Sequence, residues 1–213
     1  MSEKRILEIL EILENEYEKW DVPVKKFIKN SGQTPFQILV SVFLSSRTKD
    51  EITSGVCQRL FEKIHLPEDV ISYKDEIEKM IYPVGFYRNK AKKLVEMATI
   101  LIKDFNSNVP DKLEDLLKLP GVGRKTANLV LQRVFGVDSI AVDTHVHRIS
   151  NRLGIVSTKT PFETEKELSG IIPLTYRGRI NKLFVAFGQA ICKPVSPKCE
   201  KCPLEKLCPK EGV

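Results

Sequence analysis

The sequence predicts an all-α fold, and three observations carry that prediction. Apolar residues recur at helical spacing along most of the chain, and no stretch alternates apolar with polar residues long enough to argue for a sheet. Helix start and stop signals, such as Thr34 with Pro35 and the run Pro120, Gly121, Gly123, separate the helical patterns from one another. A length of 213 residues allows one large domain or two small ones, enough for a real core.

Residues 3 to 19 repeat Ile6, Leu7, Ile9, Leu10 and Leu13 with acidic residues between them, which predicts a helix laid against another element. A turn near Asp21 to Pro23 follows. Thr34 and Pro35 then form an N-cap and N1 pair that starts a helix through FQILVSVFL, and SSRTKD, Ser45 to Asp50, breaks it. Further helical patterns cover 50 to 63, 74 to 81, 89 to 105, 111 to 118, 124 to 135, 143 to 153, 161 to 171 and 177 to 190. There is no internal repeat and no low-complexity segment, so composition alone draws no domain boundary. The start, MSEKRILEILEILENEYEKW, is too charged for a secretory signal, and the longest apolar run, Ile38 to Leu44, is far too short to span a bilayer. The expectation is a soluble, intracellular protein. Thirty-four Lys plus Arg against 28 Asp plus Glu give a net charge of +6, a balance that fits a nucleic-acid partner without requiring one.

The chemistry concentrates in LLKLPGVGRKTANLVLQRVFGVDSIAVDTHVHR, Leu116 to Arg148. Upstream, Leu113, Leu116 and Leu117 share one helix face within DKLEDLLK; downstream, Ala127, Val130, Leu131 and Val134 do the same from Arg124 on. Pro120, Gly121 and Gly123 end one helix and start the next, which predicts a helix-hairpin-helix. Two glycines let the main chain approach a phosphate with no Cβ between them, and the N–H groups that open the second helix point at the anion. Such a turn reads no base, and taken alone it is a weak signal. Lys125 sits in the first turn of that second helix, where the helix dipole and neighbouring Arg124 both disfavour a positive charge. An amine that sheds its proton is a nucleophile. Asp143 opens the next helix, where a side-chain oxygen caps the N-terminal N–H groups; capping does not exclude chemistry.

Four of the five cysteines lie within Cys192 to Cys208, spaced C-x6-C-x2-C-x5-C. An intracellular chain does not use such a group for disulfides, so four thiolates together imply a metal centre. On spacing alone, structural zinc and iron–sulfur remain open, although zinc ribbons usually bring two C-x2-C knuckles and this chain has one. Cys57, alone on a helical pattern, reads as a buried small hydrophobe. The histidines do not form a metal site: His145 and His147 are two apart on a predicted helix and face different ways, and His65 is isolated. In KPVSPK, prolines stiffen a short loop whose Lys193 and Lys198 read equally as phosphate contacts and as charges that keep the loop soluble.

LPGVGRKTANLVL followed by AVDTHVHRISNRLG resembles the helix-hairpin-helix DNA glycosylases of the endonuclease III family, and the resemblance covers nearly the whole chain. It implies a bifunctional DNA glycosylase and β-lyase that removes damaged bases, chiefly oxidised pyrimidines. The expected partner is duplex DNA carrying damaged bases or abasic sites, bound by a monomer with no membrane involved. By the resemblance, Lys125 attacks the sugar C1′, Asp143 assists departure of the base, and Gly121, Gly123 and Arg124 contact the DNA backbone. The cysteine spacing matches the family's [4Fe–4S] site, held by Cys192, Cys199, Cys202 and Cys208. Residues 28 to 137 correspond to a six-helix barrel with the hairpin, and residues 1 to 27 with 138 to 213 to a discontinuous cluster domain, with DNA at the cleft between them. Two barrel loops face DNA in relatives. Arg47 stands where a glutamine fills the gap left by an extruded nucleotide, so this chain departs from the family there. Phe86 stands where a bulky apolar residue wedges into the duplex, although from its own sequence context it reads as core. The alternatives are a mismatch glycosylase of the same superfamily, removing thymine or adenine, and a non-catalytic DNA-binding module. Lys125 argues against the first, and strand cleavage at an abasic site discriminates the second.

Overall fold

A computed structural model describes residues 2–213. Its elements are α1 (Glu3–Tyr17), α2 (Pro23–Asn30), α3 (Pro35–Ser45), α4 (Asp50–Leu60), α5 (Pro67–Ser72), α6 (Ile77–Met80), α7 (Tyr87–Phe105), α8 (Leu113–Leu116), α9 (Arg124–Phe135), α10 (Thr144–Arg152), α11 (Pro161–Ile171) and α12 (Leu174–Ala190). Two 3₁₀ turns, Cys199–Lys201 and Glu205–Leu207, follow. No strand occurs among the described residues, so the fold is all-α as predicted. No helix is long and apolar enough to cross a membrane.

Two helices escaped the sequence reading. α2 has eight residues and α5 six, each shorter than the window over which periodicity is legible. Both begin at a proline, Pro23 and Pro67, whose missing N–H costs nothing at a helix start. The Asp69 carboxylate adds a cap to α5, its Oδ2 accepting from His65 N at 2.7 Å and Leu66 N at 2.9 Å. The helix predicted over 111 to 118 is only Leu113–Leu116. Beyond it Lys118 N and Leu119 N donate three residues back, to Asp115 and Leu116 carbonyls, because Pro120 disfavours helical geometry in the residue before it.

The chain divides into two compact units, Lys26–Val137 and, together, the chain up to Lys25 with Asp138–Val213. In the first, α3 is buried from Phe36 to Leu44 except at the partly exposed Ile38, and α4 and α9 pack against it. Its start is fixed by reciprocal capping: Gln37 N donates to Thr34 Oγ1 at 3.2 Å while Thr34 N donates to Gln37 Oε1 at 3.3 Å. Leu39, Leu44 and Leu60 have no more than a trace of exposed surface, and removing such a side chain costs roughly 2–5 kcal/mol. α7 adds Leu94, Met97, Ala98 and Leu101 to the same core.

In the second unit α1 places Ile6, Ile9, Leu10 and Leu13 against α12, and α12 also packs on α10. Trp20 stacks on Phe187 with ring centroids 5.8 Å apart. Leu204 and the partly buried Cys192, Cys202 and Cys208 join this core, so the cysteine segment is seated on an apolar floor.

Candidate active site and metal centre

The hairpin between α8 and α9 uses its two glycines differently. Gly121 has φ +82°, and a Cβ there would lie 2.5 Å from the Phe43 ring, so both conformation and packing demand glycine. Gly123 is the N-cap of α9, and a Cβ there would meet nothing within 4 Å. The fold itself does not need glycine at that exposed position. Arg124 and Lys125 follow in the first turn, Arg124 exposed and Lys125 half-buried, while Thr126, Ala127, Val130 and Leu131 hold the opposite face of α9 in the core.

Asp143 caps α10. Its Oδ1 accepts from His145 N and Val146 N, both at 2.9 Å, which leaves Oδ2 outside the cap. The lead-in is held as firmly: Ile140, Ala141 and Val142 are buried, and Asn181 on α12, only 8% exposed, donates from Nδ2 to the Ala141 carbonyl at 3.0 Å. Asn181 was not singled out from sequence. Its signal was a polar residue on a helix face shared with Ile180, Phe184 and Phe187. His147 Nδ1 pairs with Thr164 Oγ1 at 2.7 Å and His145 Nδ1 lies 3.2 Å from Arg148 Nη2, so the two rings serve different neighbours.

Phe86 corrects an expectation. Its sequence context reads as core, yet it is 63% exposed and takes φ +59°, outside the region ordinary for a bulky residue. It caps α7 from a turn that no periodicity describes. Arg47 is likewise exposed at φ +53°, with its guanidinium carbon 5.6 Å from the Phe86 ring centroid. Lys90, which no motif marked, is 7% exposed. Its Nζ donates to the Leu44 carbonyl at 2.8 Å, to the Ser46 carbonyl, and to Thr48 Oγ1 at 3.1 Å. Burial pulls its amine down to about 8. The spacing of Lys90 with Leu94, Met97 and Leu101 already placed it on the buried face of α7.

Cys192, Cys199, Cys202 and Cys208 line one cavity with Leu153 and Phe187, and all four are unpaired thiols. Among the described residues no three or more Cys, His, Asp or Glu side chains converge as on a single ion. Burial first, then the other three cysteines, push the Cys202 thiol up to about 11. A cationic centre among them would reverse that pressure. Arg152 binds the segment, donating from Nη1 to the Lys193 carbonyl at 2.7 Å and to Cys192 Sγ at 3.6 Å, and from Nη2 to the Pro194 carbonyl at 3.0 Å. Arg148 Nη2 donates to the Cys192 carbonyl at 2.9 Å. Neither arginine was found from sequence, because each partner lies some forty positions further on. The side chains of Lys193 and Lys198 are exposed on this pinned loop. Cys57 is fully buried elsewhere, its thiol pushed up to about 12 by burial.

A helical fold with a glycine hairpin, a first-turn lysine and a capping aspartate defines a class, and the chain belongs to the HhH-GPD superfamily of base excision DNA repair proteins, whose family model matches residues 40–174. Endonuclease III of Thermotoga maritima is 49% identical over 187 residues, covering 87% of this chain and 88% of that protein. Endonuclease III of Bacillus subtilis is 42% identical, covering 84% and 82% respectively. A solved non-covalent endonuclease III–DNA complex superposes with TM-score 0.88 at 37% identity, covering 99% of this chain and 96% of that one. Within the superfamily this chain is a member of the endonuclease III family, a base-excision-repair DNA glycosylase and lyase.

Proposed function

We propose that the chain excises damaged bases, chiefly oxidised pyrimidines, from duplex DNA as a monomer and then cleaves the strand, with Lys125 as nucleophile and Asp143 as its electrostatic partner. The observation that carries this reading is the half-buried Lys125 in the first turn of a helix opened by Gly123, the glycine whose missing Cβ serves no packing need of the fold. Duplex phosphates suit that exposed turn, with Gly121, Gly123 and Arg124 as contacts. A stacked base hides its C1′, so the nucleotide is extruded first. Arg47 fills the space it leaves and Phe86, exposed on the adjoining loop, wedges into the duplex.

As the glycosidic bond breaks, the Asp143 carboxylate stabilises positive charge developing on the sugar, and the departing base takes a proton. The Lys125 amine forms a bond to C1′, and opening of the sugar ring yields a Schiff base. Loss of the C2′ proton then breaks the C3′–O bond and expels the 3′ phosphate. In this reading residues 28 to 137 form a six-helix barrel and the remainder a domain holding a [4Fe–4S] cluster through Cys192, Cys199, Cys202 and Cys208. Four cysteines lining one cavity, with a single C-x2-C knuckle where zinc ribbons usually bring two, suit a polynuclear cluster better than structural zinc. When bound, the cluster would offset the repulsion among the four thiolates and tie the segment rigidly. Lys193 and Lys198 then meet a phosphate with little ordering cost.

The test is covalent capture. With abasic duplex DNA and borohydride, the native chain is expected to give a reduced adduct mapped to Lys125, and Lys125→Gln is expected to lose it while still binding the duplex. An undiminished adduct in Lys125→Gln would move the nucleophile elsewhere.

A further inference from the structure

The buried ammonium group of Lys90 is explained only in part by local structure. Leu44 lies in the last turn of α3 and Ser46 just beyond it, where carbonyls lack helical partners and a cation is favoured. A surface lysine would satisfy them without the cost of burying a charge. Lys90 also reaches Thr48 Oγ1, and that hydroxyl is saturated: it accepts from Lys90 Nζ and, at 3.1 Å, from Gly85 N, while donating to the Ser46 carbonyl at 3.3 Å. Gly85 belongs to the other loop. A Cβ at Gly85 would lie 2.4 Å from the Arg47 carbonyl oxygen, so the two backbones touch. Lys90 itself is tied to that second loop, its N–H donating to the Phe86 carbonyl at 3.0 Å. One residue therefore holds the loop of Arg47 through its side chain and the loop of Phe86 through its backbone.

We propose that Lys90 is a positioning residue that fastens the Arg47 and Phe86 loops into one preassembled unit, so that both side chains enter the duplex together. This rests on the reading of Arg47 and Phe86 as DNA-contacting residues. Both sit at positive φ, a conformation that persists only where surrounding contacts over-determine it. The Lys90, Thr48 and Gly85 contacts are those constraints. Preassembly spares the complex the ordering of two loops at the moment of binding.

Two variants test it: Lys90→Met, which keeps the length and loses the charge, and Thr48→Val, which keeps the shape at a half-exposed position and loses the shared hydroxyl. Amide hydrogen exchange of the free protein is expected to quicken in 45–48 and 84–87 together in both variants. Base excision from a duplex is expected to slow by about tenfold or more, the scale of a misplaced positioning group. Borohydride capture on a single-stranded abasic oligonucleotide, which uses Lys125 but separates no base pair, is expected to stay within about twofold. Unchanged duplex excision, equal loss on both substrates, or faster exchange in one loop alone would each overturn the proposal. Arg47→Ala and Phe86→Ala are run beside them. If those leave duplex excision intact, the DNA-contacting reading falls, whereas the exchange data still decide whether Lys90 joins the loops.

Discussion

The paired loops around Arg47 and Phe86 and the cysteine segment are both irregular, both polar, and held in opposite ways. The loops are satisfied from within their own unit: an ammonium group, a hydroxyl and a glycine N–H close on one another. The cysteine segment takes its tethers from α10, through Arg148 and Arg152, and lines a cavity in which burial first, and neighbouring cysteines after it, hold the Cys202 and Cys208 thiols above the ordinary range. A segment whose polar groups answer each other is complete when the chain folds. One whose cysteines crowd a common cavity is, on the proposed cluster reading, complete only once a metal centre holds them.

Breaking the second arrangement gives the largest expected effect. Cys202→Ser removes one of four thiols, and if the proposed cluster is present the purified protein is expected to lose visible absorbance and iron that the native chain carries, with faster hydrogen exchange across 191–213. A structural metal contributes several kcal/mol of folding energy, so the melting temperature of that unit is expected to fall by ten degrees or more, on the order set by the size scaling of unfolding entropy. Exchange in 45–48 and 84–87 is expected to stay as in the native chain. If it rose as well, the contrast between the two segments would be wrong.

A smaller effect follows from breaking the first. Gly85→Ala places a Cβ against a backbone oxygen that no rotamer change can move, at a cost of roughly 1–3 kcal/mol. Duplex excision is expected to slow while cluster absorbance and single-stranded capture remain; a melting temperature equal to that of the native chain would show that the loops part freely.

The smallest effect is a pH dependence. Burial lowers the Lys90 amine to about 8, so the folded chain releases a proton that the unfolded chain keeps until the ordinary lysine range. The unfolded state then binds more protons between those limits, and stability rises with pH across that window. The native melting temperature, measured relative to Lys90→Met, is expected to climb from pH 8 to pH 10. A flat or falling difference would show that hydrogen bonds from the charged form outweigh burial.

What was legible in the sequence was local. The hairpin, the start of α3 at Thr34 and the cap at Asp143 each depend on residues within four positions of one another, and all three stand in the structure. α2 and α5 are short enough that a proline and a few charges outweigh their periodicity. The hairpin's first helix was overrun because Pro120 acts on Leu119, not on the apolar pattern that suggested it. Lys90, Arg148, Arg152 and Asn181 depend on partners some forty positions away, and their residue types are those of an ordinary solvated helix face. Phe86 failed for another reason: a large aromatic is read as core by its apolar surface, and nothing in its neighbours announces a left-handed turn.

The positive φ of Arg47 and Phe86 also sets this chain's stability against its use. Glycine at either position would relieve the backbone, giving a fold that is neutral to about 1 kcal/mol more stable once the freer unfolded chain is counted. Each such variant would surrender an exposed side chain that the proposed function places against DNA. If the DNA-contacting reading holds, a stabilised variant of this protein that kept a bulky residue at both positions would be retaining strained turns for their use on DNA rather than for the fold.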